Sequence, residues 1–167
     1  AMAPGLAMFG GVERRFQRLG ETGGVAVVDD YAHHPTEIRA TIAAARSAYP
    51  GRRIVVAFQP HLYTRTRDFA DEFGKSLAGA DVVMLTNIYA AREQPIEGVT
   101  SGLVAAALRR AGGTVAWHGE RTALADALAN TARAGDVVIT VGAGDITKTG
   151  GEFLALRQPT TEDRTPK

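Results

Sequence analysis

From Val25 onward the chain alternates between short runs rich in valine and isoleucine and longer stretches with helical spacing. The runs are Val25–Asp29, Arg53–Phe58, Asp81–Asn87, Thr114–Trp117 and Asp136–Val141; the helical candidates between them are Pro35–Tyr49, Thr66–Ala78, Val99–Ala111 and Ala123–Ala132. This rhythm constrains the fold more than any other feature. A run that is apolar at successive positions has to be covered on both faces, as in a parallel sheet. Parallel neighbours in turn need a crossover of about a dozen residues or more, which a helix supplies.

Punctuation residues agree with these boundaries. Pro35 and Thr36 open the first helical stretch and Pro50-Gly51 closes it, since proline is tolerated in a first helical turn but not in an interior. Ile38, Ile42 and Ala45 form one inward stripe along it. The first segment differs. Gly11–Glu21 (GVERRFQRLGE) is rich in charge and reaches the next run through Thr-Gly-Gly, a connection short enough only for an antiparallel hairpin. The expected fold is a three-layer α/β/α Rossmann-like domain, its six-stranded sheet mainly parallel with an antiparallel first strand. Residues 11–157 are read as this domain, 1–10 as a lead-in whose first three residues resemble a cloning remnant, and 158–167 as a polar, fraying tail.

Composition narrows the function classes. A chain of 167 residues with 45% hydrophobic content is the size of one globular domain. It has no cysteine, which excludes disulfides, thiolate metal sites and cysteine nucleophiles and fits a cytoplasmic location. Net charge is +1 without a basic run, so no nucleic-acid partner is expected. No apolar run approaches the roughly 20 residues of a membrane span, so no membrane partner is expected either.

In open α/β sheets, ligands bind beyond the carboxyl ends of the strands. The residues at those ends are Asp29, Asp30, Tyr31, His33 and His34; then Gln59, His61, Tyr63, Thr64, Arg65 and Arg67; then Asn87, Tyr89, Arg92 and Glu93; then Gly142, Gly144, Asp145 and Lys148. Three of the four histidines fall on this one edge. Solvated loops are polar by default, but they do not need histidine and tyrosine at this density.

Several chemistries can be set aside. His33 and His34 are sequence neighbours, which point apart on an extended chain, and neither HExxH nor a carboxylate triad accompanies them, so no protein-built metal site is expected. None of the three serines sits in a G-x-S-x-G elbow. GAGDITKT (Gly142–Thr149) falls short of a phosphate loop, because Thr147 stands where the second glycine must let backbone N–H groups wrap the phosphates. Gly142 and Gly144 are read as allowing a ligand close to the backbone. QPHLYTRTRD (Gln59–Asp68) suits an anion better: arginines at a helix start combine a planar fork with unpaired N–H groups. Arg65 is the stronger candidate, whereas Arg67 has Asp68 and Asp71 as nearby surface partners.

Taken in order, DDYAHHPTEI, FQPHLYTRTRDF, TNIYAAREQPIEG and VGAGDI resemble the C-terminal domain of the Mur ligases, and HHPTEI with QPH-x-Y-[ST]-R-T resembles the branch that joins L-alanine to UDP-N-acetylmuramate. GVERRF resembles the start of that domain, and the resemblance runs from Leu6 to Leu156. It implies an enzyme of three domains in which ATP, with Mg2+, converts the muramyl carboxylate to an acyl phosphate that the alanine amine attacks. The central domain would hold the phosphate loop and the magnesium ligands, so this chain is expected to be inactive alone and to bind no cofactor tightly. The resemblance places Arg15, Asp30 and His33 near the nucleotide, and Tyr31, His61 and Arg65 around the alanine and the product carboxylate. His33 and His61 both remain candidates for accepting the amine proton. His34 is read as packing at the helix start. One departure stands out: Leu62 occupies a position where many members carry arginine, which shifts weight onto Arg65. Two alternatives are a related ligase adding another amino acid or a peptide, and a stand-alone nucleotide- or anion-binding module.

Overall fold

A computed structural model describes residues 14–158. Readings that concern residues 1–13 and 159–167 therefore lie outside the described residues. The elements run β1 (Gln17–Thr22), β2 (Val25–Asp30), α1 (Pro35–Ala48), β3 (Ile54–Phe58), α2 (Tyr63–Leu77), β4 (Val82–Thr86), α3 (Gly102–Arg110), β5 (Val115–Gly119), α4 (Leu124–Thr131), β6 (Val137–Val141) and α5 (Thr147–Leu156). A 3-10 turn, Arg121–Ala123, precedes α4.

The six strands form one sheet in the order β1-β2-β6-β3-β4-β5. β1 is antiparallel to β2 and every other pairing is parallel. Thr22 pairs with Val25 across the hairpin, and the two loop residues, Gly23 and Gly24, have φ of 53° and 76°. Positive φ at both central positions gives the tight turn whose twist matches paired strands, and glycine adopts it without a Cβ penalty.

The central strands β2, β3 and β6 are buried at every residue, as their unbroken apolar runs require. Their side chains alternate between two cores. Val28, Val56, Phe58, Ile139 and Val141 pack with Ile38 of α1, Phe73 and Leu77 of α2 and Leu108 of α3. Val27, Val55, Ala57 and Val138 pack on the opposite face with Leu124 and Leu128 of α4 and Phe153 of α5. The result is the expected three-layer domain.

Three local readings are corrected. β5 lies at the sheet edge, so its residues alternate between half-buried and exposed instead of being buried on both faces. α2 starts at Tyr63, three residues before the expected Thr66, and it carries non-helical angles at Phe69. α5 was not among the helical candidates, because TKTGGEFLAL contains two glycines of low helix propensity. Tertiary packing overrides that propensity. Phe153 is fully buried, and a Cβ at Gly150 would lie 2.4 Å from Leu19 Cδ1 of β1, so glycine allows the helix to close on the hairpin.

Candidate functional site

The parallel strands end together, and the loops that follow β2, β3, β4 and β6 meet above that edge. The first tie is made by two adjacent acids at the end of β2. Asp29 is almost fully buried and accepts hydrogen bonds from Thr140 Oγ1 (2.6 Å), Thr147 Oγ1 (2.9 Å) and Arg14 Nε (3.1 Å). Arg14 also donates to the Gly142 carbonyl at 2.7 Å and lies 4.9 Å from the centre of the Tyr31 ring. Asp30 accepts from the Phe16 N–H (2.9 Å) and the Ala32 N–H (2.8 Å), one on each carboxylate oxygen. Its carboxylate therefore fixes the backbone just after Tyr31 and ties that loop to Phe16, at the entry to β1.

Glu37 organises the start of α1. One of its oxygens accepts from the backbone N–H groups of both His33 (3.0 Å) and His34 (3.1 Å), capping the helix as an acid at the third position does. Burial pushes the Glu37 carboxyl up, but these two N–H groups and the neighbouring His33 and Arg15 charges hold it below its ordinary value. Arg15 stands 3.6 Å from Glu37 and is half-exposed. A cleft of about 320 Å3 opens beside it, lined in part by Phe16, Asp30 and Thr41. His33 Nδ1 lies 3.1 Å from the Tyr31 carbonyl and 3.5 Å from Glu37. His34 turns the other way, its ring meeting Phe69 edge-on with centroids 4.9 Å apart.

The loop after β3 carries the second half of the site. His61 bridges Tyr89 through backbone pairing, and the two rings stack at 5.7 Å with a 16° interplanar angle. Arg65 Nη1 lies 3.2 Å from His61 Nδ1. Burial lowers the pKa of His61, and the Arg65 and His33 charges lower it further against the opposing pull of Glu93. Leu62 has φ 74°, a conformation that costs a residue with a Cβ about 1–3 kcal/mol. It is held there by its N–H bond to the Tyr89 carbonyl (2.9 Å) and by its own carbonyl, which accepts from Thr66 N–H and Oγ1. Glu93 caps α2 by accepting from the Thr64 N–H at 3.0 Å and from its hydroxyl.

The two halves meet between His33 and His61, whose ring centroids are 6.2 Å apart, and Tyr31 packs edge-on to His33 at 5.1 Å. Tyr31, His33, His61 and Arg65 thus form one cluster, with Arg15 at its β1 side. Arg67 lies outside it, paired with Asp68 at 2.7 Å on the surface. The glycine loop does not open a path to a ligand. A Cβ on Gly144 would lie 2.4 Å from Gln59 Oε1 and 2.6 Å from Tyr89 Cγ, so the protein's own side chains fill the space. Gln59 then bridges to Asp145 and the Ile146 N–H.

Sequence reading missed three contributors. Glu37 had a visible signal, an acid three residues after a helix cap. Arg14 had none beyond its place beside Arg15. Arg121, which binds Glu152 at 2.7 Å and stands 3.4 Å from Asp145, lies on a turn that periodicity did not single out.

A doubly covered, mainly parallel sheet with cations, imidazoles and tyrosines at its carboxyl edge is an open α/β domain of the class in which ligands bind beyond the strand ends. The chain belongs to the Mur ligase family: the family described as Mur ligase, glutamate ligase domain, matches residues 14–144. It is 54% identical over 156 residues to a UDP-N-acetylmuramate–L-alanine ligase of Kineococcus radiotolerans, covering 93% of this chain and 33% of that protein. It is 52% identical over 153 residues to the protein of the same name from Mycolicibacterium smegmatis, covering 90% of this chain and 31% of that one. The chain spans about a third of the length of these relatives. Among solved structures, the UDP-N-acetylmuramate–alanine ligase of Thermotoga maritima matches with a TM-score of 0.73 at 29% identity, over 89% of this chain and 30% of that one. A murein peptide ligase from Psychrobacter arcticus shares the fold, with a TM-score of 0.70 at 22% identity over 90% of this chain and 31% of that one.

Proposed function

We propose that this chain is the C-terminal, amino-acid-binding domain of a cytoplasmic, ATP-dependent ligase that joins L-alanine to UDP-N-acetylmuramate in peptidoglycan precursor synthesis. The observation that carries the proposal is the cluster of His33, His61 and Arg65 at the ligand edge of the sheet. Identities above 50% to proteins named for this reaction support the choice of alanine over another amino acid or a peptide.

The reaction sets the demands on this cluster. The muramyl carboxylate, activated by ATP as an acyl phosphate, is attacked by the alanine amine; the new C–N bond forms as the bond to the phosphate oxygen breaks. The alanine carboxylate and the departing phosphate are both anions, and preorganised cations and N–H donors stabilise such charge as it develops. Arg65 takes the alanine carboxylate, since a guanidinium fits a carboxylate in two-point contact. Tyr31 and His61 line the same space. Arg15, half-exposed beside its cleft, reaches toward the ATP phosphates. Asp30 serves the nucleotide side by fixing the Tyr31 loop, since both its oxygens already accept backbone N–H groups. Magnesium supplies charge neutralisation on the phosphates; among the described residues no group of three or more His, Asp or Glu converges to hold it, so its ligands are assigned to the rest of the enzyme.

The test is Arg65→Ala in the full-length enzyme, after its folding has been checked. The KM for L-alanine should rise, or kcat fall, by about 100-fold, as expected for loss of a charge-assisted pair worth roughly 3 kcal/mol. An unchanged alanine dependence would remove Arg65 from the site.

A further inference from the structure

We infer that the two histidines of the cluster divide the proton work: His33 accepts the amine proton at Nε2, while His61 donates an Nε2–H hydrogen bond to the anionic group beside Arg65. The substrate in this inference rests on the proposed ligase reaction; the tautomers do not.

Each assignment follows from what the partner of Nδ1 is able to do. A guanidinium has only donors. Arg65 Nη1 lies 3.2 Å from His61 Nδ1, so that nitrogen presents its lone pair, and the neutral ring carries its proton on Nε2. The ring is held there by its stack on Tyr89 and by the backbone bridge between the same two residues. The partner at His33 is the opposite kind. A backbone carbonyl has only acceptor capacity, and the Tyr31 carbonyl lies 3.1 Å from His33 Nδ1. His33 therefore carries its proton on Nδ1 and leaves Nε2 with a lone pair.

The surrounding charges reinforce this division. His61 faces Arg65 from α2, His33 from the loop after β2, and Glu93 from the loop after β4. A second proton on His61 would sit at Nδ1, pointing at the Arg65 guanidinium, and burial already opposes the charged ring. His33 instead has the Glu37 carboxylate 3.5 Å from Nδ1. The Tyr31 carbonyl fixes the tautomer, and a carboxylate at this distance favours the imidazolium electrostatically once the proton has arrived. The step balances. The amine nitrogen gains the acyl carbon and gives one proton to His33 Nε2, and phosphate leaves with the electron pair of the broken C–O bond.

Nitrogen-15 NMR of the histidine side chains in this chain reads the tautomers directly, without substrate. The expected result is Nε2–H for His61 and Nδ1–H for His33; the reverse pair, or the same averaged state for both rings, overturns the inference. Kinetics of the full-length ligase then test the roles. Glutamine places an N–H close to the Nε2 position but cannot take a proton. His61→Gln should stay within about tenfold of wild type while His61→Ala loses about 100-fold, the scale for removing one preorganised donor. His33→Gln should lose about 100-fold or more and flatten the acid limb of the kcat–pH profile, as removal of a general base does. If His61→Gln flattens that limb instead, the assignment is reversed. A wild-type enzyme without L-alanine-dependent phosphate release overturns the proposed reaction, a result separable from the tautomers.

Discussion

Asp136 closes the end of the sheet opposite the ligand edge, and it shows how one residue couples stability to pH. Its two oxygens take Arg53 Nη2 at 2.7 Å and Arg53 Nε at 2.9 Å, and the Arg133 N–H adds a third bond at 2.9 Å. Burial raises the pKa of the Asp136 carboxyl, but Arg53 and the Arg133 N–H outweigh it and the net displacement is downward. Asp81 is lowered as well: its bond from Arg46 outweighs the upward push of burial, helped by the Ile54 N–H. A carboxyl lowered in the folded state contributes stability that is complete above its unfolded pKa, about 3.9 for aspartate, and that is lost as pH falls through the folded value. In thermal unfolding, the share of stability carried by these two aspartates should therefore stay constant from neutrality to about pH 5 and fall below about pH 4, while His61, lowered by burial, adds a separate loss as pH falls through its unfolded value of about 6.5. Asp136→Asn should cost about 3 kcal/mol at pH 7, the low end for breaking a buried pair because Arg53 keeps some solvent contact. It should also flatten the acid slope, and an unchanged slope would mean that this pair does not set it.

At the scale of elements, α2 is held by its packing on α3 at one end and by a cap from another loop at the other. Gly74 of α2 is the point of closest approach: a Cβ there would lie 2.4 Å from the Ala107 carbonyl carbon and 2.5 Å from the Leu108 nitrogen. These are backbone atoms and cannot rotate away. Gly74→Ala should therefore destabilise the domain by about 2 kcal/mol in urea unfolding, overpacking exceeding the gain of about 1 kcal/mol in helix propensity. A more stable Gly74→Ala protein would show that the two helices separate at little cost. The same scale explains the cap. α2 begins three residues earlier than its apolar spacing indicates, because Glu93 reaches across from another loop to satisfy the Thr64 N–H. The earlier start places Arg65 in the first turn, within reach of His61.

At the scale of the whole molecule, the proposed function makes the carboxyl edge of the sheet a half-site. In the proposed reaction its cationic and aromatic groups would line one side, a phosphate loop and magnesium ligands being needed besides, and the chain spans a third of its relatives' length. The loops that carry these groups are anchored within the domain itself, through Asp30, Glu37, Tyr89 and Glu93, so the half-site is preorganised. The expected outcome is that this chain alone releases no phosphate from ATP with UDP-N-acetylmuramate and L-alanine, and binds each at best weakly, because half the contacts are missing. Turnover by this chain alone would overturn that view.

The alternation of β-rich runs and helical stretches determined the layers, the parallel sheet and the antiparallel hairpin, since unbroken apolar runs and short glycine turns leave few other ways to bury and satisfy the backbone. It also placed Tyr31, His33, His61 and Arg65 on one edge, because strand ends are legible in one dimension. What it could not determine is whatever depends on contacts distant in sequence. The helix of Thr147–Leu156 is hidden by its glycines and exists because Phe153 and the hairpin bury its face. The space above Gly144 is closed by Gln59 and Tyr89, from two other loops. The division between His33 and His61 rests on a carbonyl at one ring and a guanidinium at the other, and only the folded chain brings a ring nitrogen within 3.2 Å of the group that decides which proton it carries.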